Sequence, residues 1–217
     1  MSAESTPVST ELFDYIRRHT RGDDGFLQQL KQAAEEQGIP AIHIATEQAS
    51  LMQILLQSAG ASEVIEVGTL AGYSAIIMAR ALPQHGRLRT IELDPRHVAF
   101  ATEWIARSDV AGRVHVLEGD GESVLAGFAD ESADAAFLDA DKSNYVTYLS
   151  HSMRIVRPGG LILVDNAFAF GQLLDRQPTD PEVGAIREFN QHMTTVQGLQ
   201  SVMVPVGDGL WVGVKSA

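Results

Sequence analysis

Glu66-Val67-Gly68-Thr69-Leu70-Ala71-Gly72-Tyr73-Ser74 is the stretch on which the fold turns. An apolar run at residues 64–67 stops at a glycine, a short loop follows, and Gly72 opens a helical pattern over residues 73–82. Glycines at such a junction let the backbone come close to a ligand at the carboxyl end of a parallel strand, where open α/β sheets bind their ligands. A nucleotide or nucleoside is the natural occupant. The dinucleotide fingerprint G-x-G-x-x-G is absent, because only Gly68 and Gly72 are present and they stand four residues apart. This lowers the standing of a nicotinamide-dependent oxidoreductase but leaves it open.

The pattern repeats outward from this stretch. Residues 88–91, 114–117, 135–138 and 161–164 are short runs, apolar on both faces and bounded by Gly, Asp or charged residues, and read as buried strands. Helical stretches at 95–108, 122–128 and 144–156 separate them, and this alternation specifies right-handed crossovers and a parallel, doubly wound sheet. The chain opens with amphipathic helices over 11–18, 24–37 and 46–58, the second ending at Gly38 and Pro40. It closes with a helix near 182–195 and two extended segments, 200–206 and 210–214. Only Gly207-Asp208-Gly209 separates these segments, so they pair as an antiparallel hairpin. The fold class is therefore α/β, a mostly parallel sheet of seven strands with extra N-terminal helices. Residues 1–217 read as one domain, with 1–60 a helical cap and 61–217 the cofactor-binding core.

Composition narrows the partners. With 16 basic and 28 acidic side chains the net charge is −12, which repels a phosphate backbone, and no Lys/Arg cluster overrides it, so nucleic acid is disfavoured. The absence of cysteine rules out disulfides and thiolate metal sites. The polar first ten residues lack the features of a secretory signal, and no apolar run nears the ~20 residues that span a bilayer. These features together imply a cytoplasmic protein without membrane contact.

Chemistry-bearing residues gather at the strand ends. Glu92 follows the second strand, where a carboxylate accepts both hydroxyls of a ribose. The fourth strand ends Leu138-Asp139-Ala140-Asp141-Lys142 and the fifth Val164-Asp165-Asn166, so Asp139, Asp165 and Asn166 converge on the same rim. Three oxygen ligands without His or Cys suit a hard cation, Mg²⁺ or its relatives Ca²⁺ and Mn²⁺, with open positions for neighbouring oxygens of a substrate. Lys142 lies three residues beyond Asp139. An ammonium beside a bound cation is disfavoured, which makes Lys142 the acceptor for a hydroxyl proton. The competing account makes both aspartates helix caps and Lys142 a surface residue.

These motifs resemble the cation-dependent O-methyltransferases typified by catechol and caffeoyl-CoA O-methyltransferases, especially small bacterial members. The resemblance runs from about Ile42 to Val214 and also rests on Arg157-Pro158-Gly159-Gly160 and Pro205-Val206-Gly207-Asp208-Gly209. It implies the class I, Rossmann-like methyltransferase fold, a homodimer, and methyl transfer from S-adenosylmethionine to a hydroxyl of a catechol-like aromatic small molecule. By the same resemblance Ile44, Glu66, Gly68, Thr69 and Ser74 contact the cofactor, as do Glu92, Gly121, Asp139, Asp141 and Tyr148. Asp139, Asp165 and Asn166 fall on the metal ligands, while Lys142 and Asp139 carry the catalysis. Some relatives methylate a hydroxylated uridine in tRNA, an alternative that the charge opposes. The chain departs from the family at Ala167-Phe168-Ala169-Phe170-Gly171-Gln172, at Gly119-Asp120-Gly121 and at Ile44, which points to an acceptor other than the plant phenylpropanoids. Phe168 and Phe170 are candidates for touching it. His43 reads as structural, Trp104 and Trp211 as packing residues.

Overall fold

The computed structural model describes residues 6–216; residues 1–5, on which the expected absence of a leader partly rests, lie outside the described residues. Three helices come first, α1 (Thr10–His19), α2 (Gly25–Glu36) and α3 (Thr46–Ser58). α2 begins where the Asp24 carboxylate accepts the Leu27 N–H at 3.0 Å, satisfying one of the donors a helix start leaves unpaired. The alternating core follows as β1 (Glu63–Val67), α4 (Tyr73–Ala81), β2 (Arg87–Glu92), α5 (Pro95–Ala106), β3 (Val114–Glu118), α6 (Gly121–Ala126) and β4 (Ala133–Leu138). A 3₁₀ turn (Lys142–Asn144) leads into α7 (Tyr145–Ile155), β5 (Val156–Val164), α8 (Val183–Met193), β6 (Leu199–Val204) and β7 (Leu210–Lys215).

The seven strands form one sheet in the order β3-β2-β1-β4-β5-β7-β6. β1 to β5 are parallel, and β7 runs antiparallel to both β5 and β6. This is the class I methyltransferase layout that the sequence implies. The chain winds outward from β1 to β3, then returns to lay β4 on the other side of β1. The reversal opens a crevice at the carboxyl ends of β1 and β4.

Strand residues alternate between two cores. Val64, Leu88, Phe137 and Leu163 pack with Met52, Leu56 and Ile76 of α3 and α4 and with Trp104 of α5. Ile65, Val67, Leu138 and Val164 pack on the opposite face with Tyr148 and Leu149 of α7 and Phe189 of α8. Both faces are covered, which is why these strands read as continuous apolar runs. Trp104 and Trp211 are buried, as packing residues should be, and the Trp211 indole N–H donates to Asn190 at 2.7 Å.

Most boundaries fall within two residues of the sequence expectation, and the larger differences lie at β5 and the hairpin. β5 starts at Val156 rather than near 161, because the Arg157–Gly160 stretch stays in the sheet through a register shift opposite Ala133 and Ala135. Gly159 takes up that irregularity at φ +75°. The hairpin connection is five residues, 205–209, rather than three. Pro205 has no N–H to give a ladder, and β6 ends before it.

Candidate active site

The carboxyl ends of β1, β2, β4 and β5 open into a cavity of about 1140 Å³, closed on its far side by residues of α1 and α2 and by the 42–48 segment. Pockets for one drug-sized ligand measure roughly 300–1,000 Å³, so this cavity lies above the range of a single-ligand site.

The first wall is the loop after β1. Gly68 has φ +100°, and a Cβ there would collide with the Asp139 carbonyl, so close approach of β1 and β4 requires glycine. Leu70 sits at φ +48°, an uncommon conformation for a side-chain-bearing residue, and its N–H donates to Glu92 Oε2 at 2.8 Å. Glu92 Oε1 also accepts the N–H groups of Leu93 (3.0 Å) and Asp94 (2.9 Å). Three donors therefore fix this carboxylate in the cavity wall, with acceptor capacity left over.

Glu66 takes a different place from the predicted one. It is fully buried and does not line the cavity; Ser74, which does, donates its hydroxyl to Glu66 Oε1 at 2.5 Å. Burial pushes the Glu66 carboxyl up to about 8, and its Oε2 has no partner. Glu66 supports the wall through Ser74 rather than forming it.

A second wall comes from α6 and α7. The Tyr148 hydroxyl donates to Asp141 Oδ1 at 2.6 Å, and the Asn144 amide donates to Asp141 Oδ2 at 2.5 Å. Gly121 lies under the Tyr148 ring, where a Cβ would stand only 2.9 Å from a ring carbon. Substitution there would push the ring out of place.

Between these walls lies the acidic centre. Asp139 N–H bonds Val67 O and Asp165 N–H bonds Leu138 O, so the three strand ends are in step. Burial, with the Asp139 charge added, pushes the Asp165 carboxyl up to about 7. The nearby positive charge is Lys142, which is buried, with Nζ 3.0 Å from Asp139 Oδ1 and 2.8 Å from the Tyr145 hydroxyl. Tyr145 is itself driven well above the usual phenol range by burial and the surrounding carboxylates. Neither Asp139 nor Asp165 caps a helix. The Asn166 amide donates to Asp208 Oδ2 at 3.1 Å, which leaves its carbonyl oxygen as the free end.

Apart from Glu66, every predicted site residue lines this one cavity. Among the described residues no group of three or more His, Cys, Asp or Glu is arranged to hold a metal; the predicted set is two carboxylates and an amide. His43, expected to be structural, also lines the cavity, its ring 5.5 Å from Tyr73. Burial and the Lys31 charge hold its imidazole down at about 4, hence neutral at physiological pH. Phe170 lines the rim, whereas Phe168 is absent from the cavity lining and packs against Gly209.

Several wall residues went unread in the sequence. Gln48 is buried with its Nε2 unpartnered, and Glu182 and Asp208 enter from distant segments. Asp23 accepts from the Tyr73 hydroxyl at 2.6 Å and from Lys31 at 2.7 Å, tying the first helices to the β1 loop. The spacing of glycines around Asp208 was the signal available for it.

Fold and site together define the class, an S-adenosylmethionine-dependent O-methyltransferase. Residues 17–216 match the O-methyltransferase family, and the chain belongs to it. A catechol O-methyltransferase of Niastella koreensis is 40% identical over 200 residues, covering 88% of this chain and 90% of that protein. The O-methyltransferase of Bacillus cereus, solved in complex with SAH, superposes with a TM-score of 0.85 at 29% identity, covering 95% of this chain and 98% of that one. The O-methyltransferase TomG of Streptomyces achromogenes, involved in tomaymycin synthesis and solved with SAM, gives 0.81 at 27% identity, covering 95% and 96%.

Proposed function

We propose that this enzyme methylates a hydroxyl of a catechol-like aromatic small molecule with the help of a divalent cation held by Asp139, Asp165 and Asn166. The observation that carries the reading is Asp165 buried beside the half-buried Asp139: burial first, and the Asp139 charge after it, lift the Asp165 carboxyl to about 7. Two carboxylates drawn together out of water at strand ends ask for a cation. The donor set, oxygen only, fits Mg²⁺, with Mn²⁺ and Ca²⁺ as alternatives. Such a cation supplies an anchor for two neighbouring oxygens and acidifies the hydroxyl to be methylated.

The remaining roles belong to the chain. Thr69 and Ser74, with Gly68, shape the loop that holds the cofactor's amino-acid end, and Ile44 closes it from the cap. Glu92 receives the ribose, while Gly121, Asp141 and Tyr148 hold the nucleoside and Asp139 borders both ligands. Lys142 Nζ stands beside the acidic centre and accepts the hydroxyl proton. Phe170 and His43 border the acceptor, with an aromatic edge and a neutral imidazole suited to an aromatic ring. The family resemblance supports a homodimer, with residues 1–60 as cap of a single domain, and the cysteine-free composition is in keeping with a cytoplasmic enzyme. Among the described residues no helix is long and apolar enough to cross a membrane.

The test is methyl transfer to a panel of vicinal diphenols, hydroxycinnamoyl thioesters and flavonoids, with and without chelator. Activity on a vicinal diphenol that EDTA abolishes and Mg²⁺ restores is the expected result. Turnover indifferent to chelation removes the cation from the mechanism.

A further inference from the structure

We infer that Asp208 is a positioning residue that aims the Asn166 carbonyl oxygen into the cation site and holds Phe170 at the acceptor's edge. The inference rests on the cation reading proposed above. Asp208 lines the cavity from the turn between β6 and β7, far in sequence from the other acidic residues. Its Oδ2 accepts both the Asn166 side-chain N–H (3.1 Å) and the Phe170 backbone N–H (2.9 Å), and its Oδ1 accepts the Gly171 N–H (3.3 Å). One carboxylate thus fixes a proposed cation ligand and a proposed acceptor contact together.

The chemistry requires an acceptor-only group at this place. An amide presents oxygen on one side and –NH₂ on the other, and an –NH₂ turned toward a cation repels it. Binding the –NH₂ outward settles which end faces in, the part played by outer hydrogen bonds around metal ligands generally. A neutral amide in place of Asp208 would bring an –NH₂ of its own against one of three N–H donors.

The surrounding backbone is built around this contact. Asn166, Ala169 and Phe170 have φ of +59°, +53° and +57°, a left-handed region that strains residues with side chains. The carboxylate bonds offset that strain, as do Phe168 N–H to Asp208 O (2.8 Å) and Ala167 N–H to Gly209 O (2.9 Å). Glycines flank Asp208 for steric reasons as well. A Cβ on Gly207 would collide with the buried Gln48 amide, and one on Gly209 with the Phe168 ring. The turn is seated against α3 on one side and the 166–171 segment on the other. None of these contacts touches the β1 loop, Glu92 or Tyr148, so cofactor binding is separable from them.

Calorimetric titrations of MnCl₂ and of S-adenosylhomocysteine into wild type and Asp208→Asn, with melting curves, test the inference. Asp208→Asn should weaken Mn²⁺ binding roughly 10- to 100-fold while leaving S-adenosylhomocysteine bound within about twofold. The KM for catechol should rise while that for the cofactor holds. Mn²⁺ binding unchanged in the variant overturns the inference. Parallel loss of both ligands with a collapsed melting transition also overturns it, by assigning Asp208 to general support of the fold. Wild type that binds no Mn²⁺ saturably sinks the cation reading itself, which is a distinguishable result.

Discussion

Lys142 is buried between Asp139 and Tyr145, and at 3.0 Å its ammonium offsets part of the charge of the two aspartates. On the proposed mechanism a divalent cation would take over that task, and Lys142 would be the acceptor for the hydroxyl proton. Lys142→Ala should then lower kcat by about 10²- to 10⁴-fold with unchanged affinity for S-adenosylhomocysteine. Steady-state rates beside a calorimetric titration check this, and a kcat near that of wild type would remove Lys142 from the proton transfer. That Asp139, Lys142, Asp165 and Asn166 share one cavity was legible in the sequence because they come together at the ends of neighbouring parallel strands, a combination that helix capping of single aspartates does not account for. Glu66 was not, since in a strand buried on both faces the sequence does not say whether a glutamate faces a cavity or the core. Asp208 stayed hidden for another reason: aspartate between glycines is also what an ordinary turn contains.

At the scale of elements, the amino-terminal edge of the sheet is tied by Asp134 at the start of β4. Its carboxylate accepts the N–H groups of Ser62 (2.7 Å) and Glu63 (2.8 Å), the Ser62 hydroxyl (2.9 Å) and Arg157 Nε (2.6 Å), joining β1, β4 and β5. Burial alone would raise this carboxyl, but the backbone N–H groups and Arg157 bring it to about 2. A folded value below the ordinary ~3.9 means stability that is present above pH ~4 and lost as pH falls through ~2. Asp134→Asn should cost about 2 kcal/mol at pH 7, and its gap from wild type should narrow between pH ~4 and ~2. Urea unfolding at two pH values measures this; a gap independent of pH would contradict it. The elements themselves were largely legible, α3 to the residue, because their hydrophobic periods are clean. The start of β5 was not, because Arg157-Pro158-Gly159-Gly160 carries the composition of a turn, and only the pairing of Val156 and Leu161 on either side of it with β4 keeps it within the strand.

For the whole molecule, strand order does what no single motif could. Reversal of the winding between β1 and β4 brings loops from residues 68–74, 92–94, 139–145 and 165–171 to one rim, and the hairpin returns Asp208 to the same place. The alternation of strands and helices made that rim predictable. The acceptor's side was not predictable, since it depends on how the first three helices and the 166–171 segment fold over the rim, which the period of a helix does not state. The central claim is that this convergence holds a cation beside the cofactor. Crystals grown with S-adenosylhomocysteine and MnCl₂, measured at the manganese absorption edge, test it most directly. The account predicts an anomalous peak within about 2.3 Å of oxygens from Asp139, Asp165 and Asn166. A cofactor-bound crystal with no peak there, or with the peak on other residues, would contradict it.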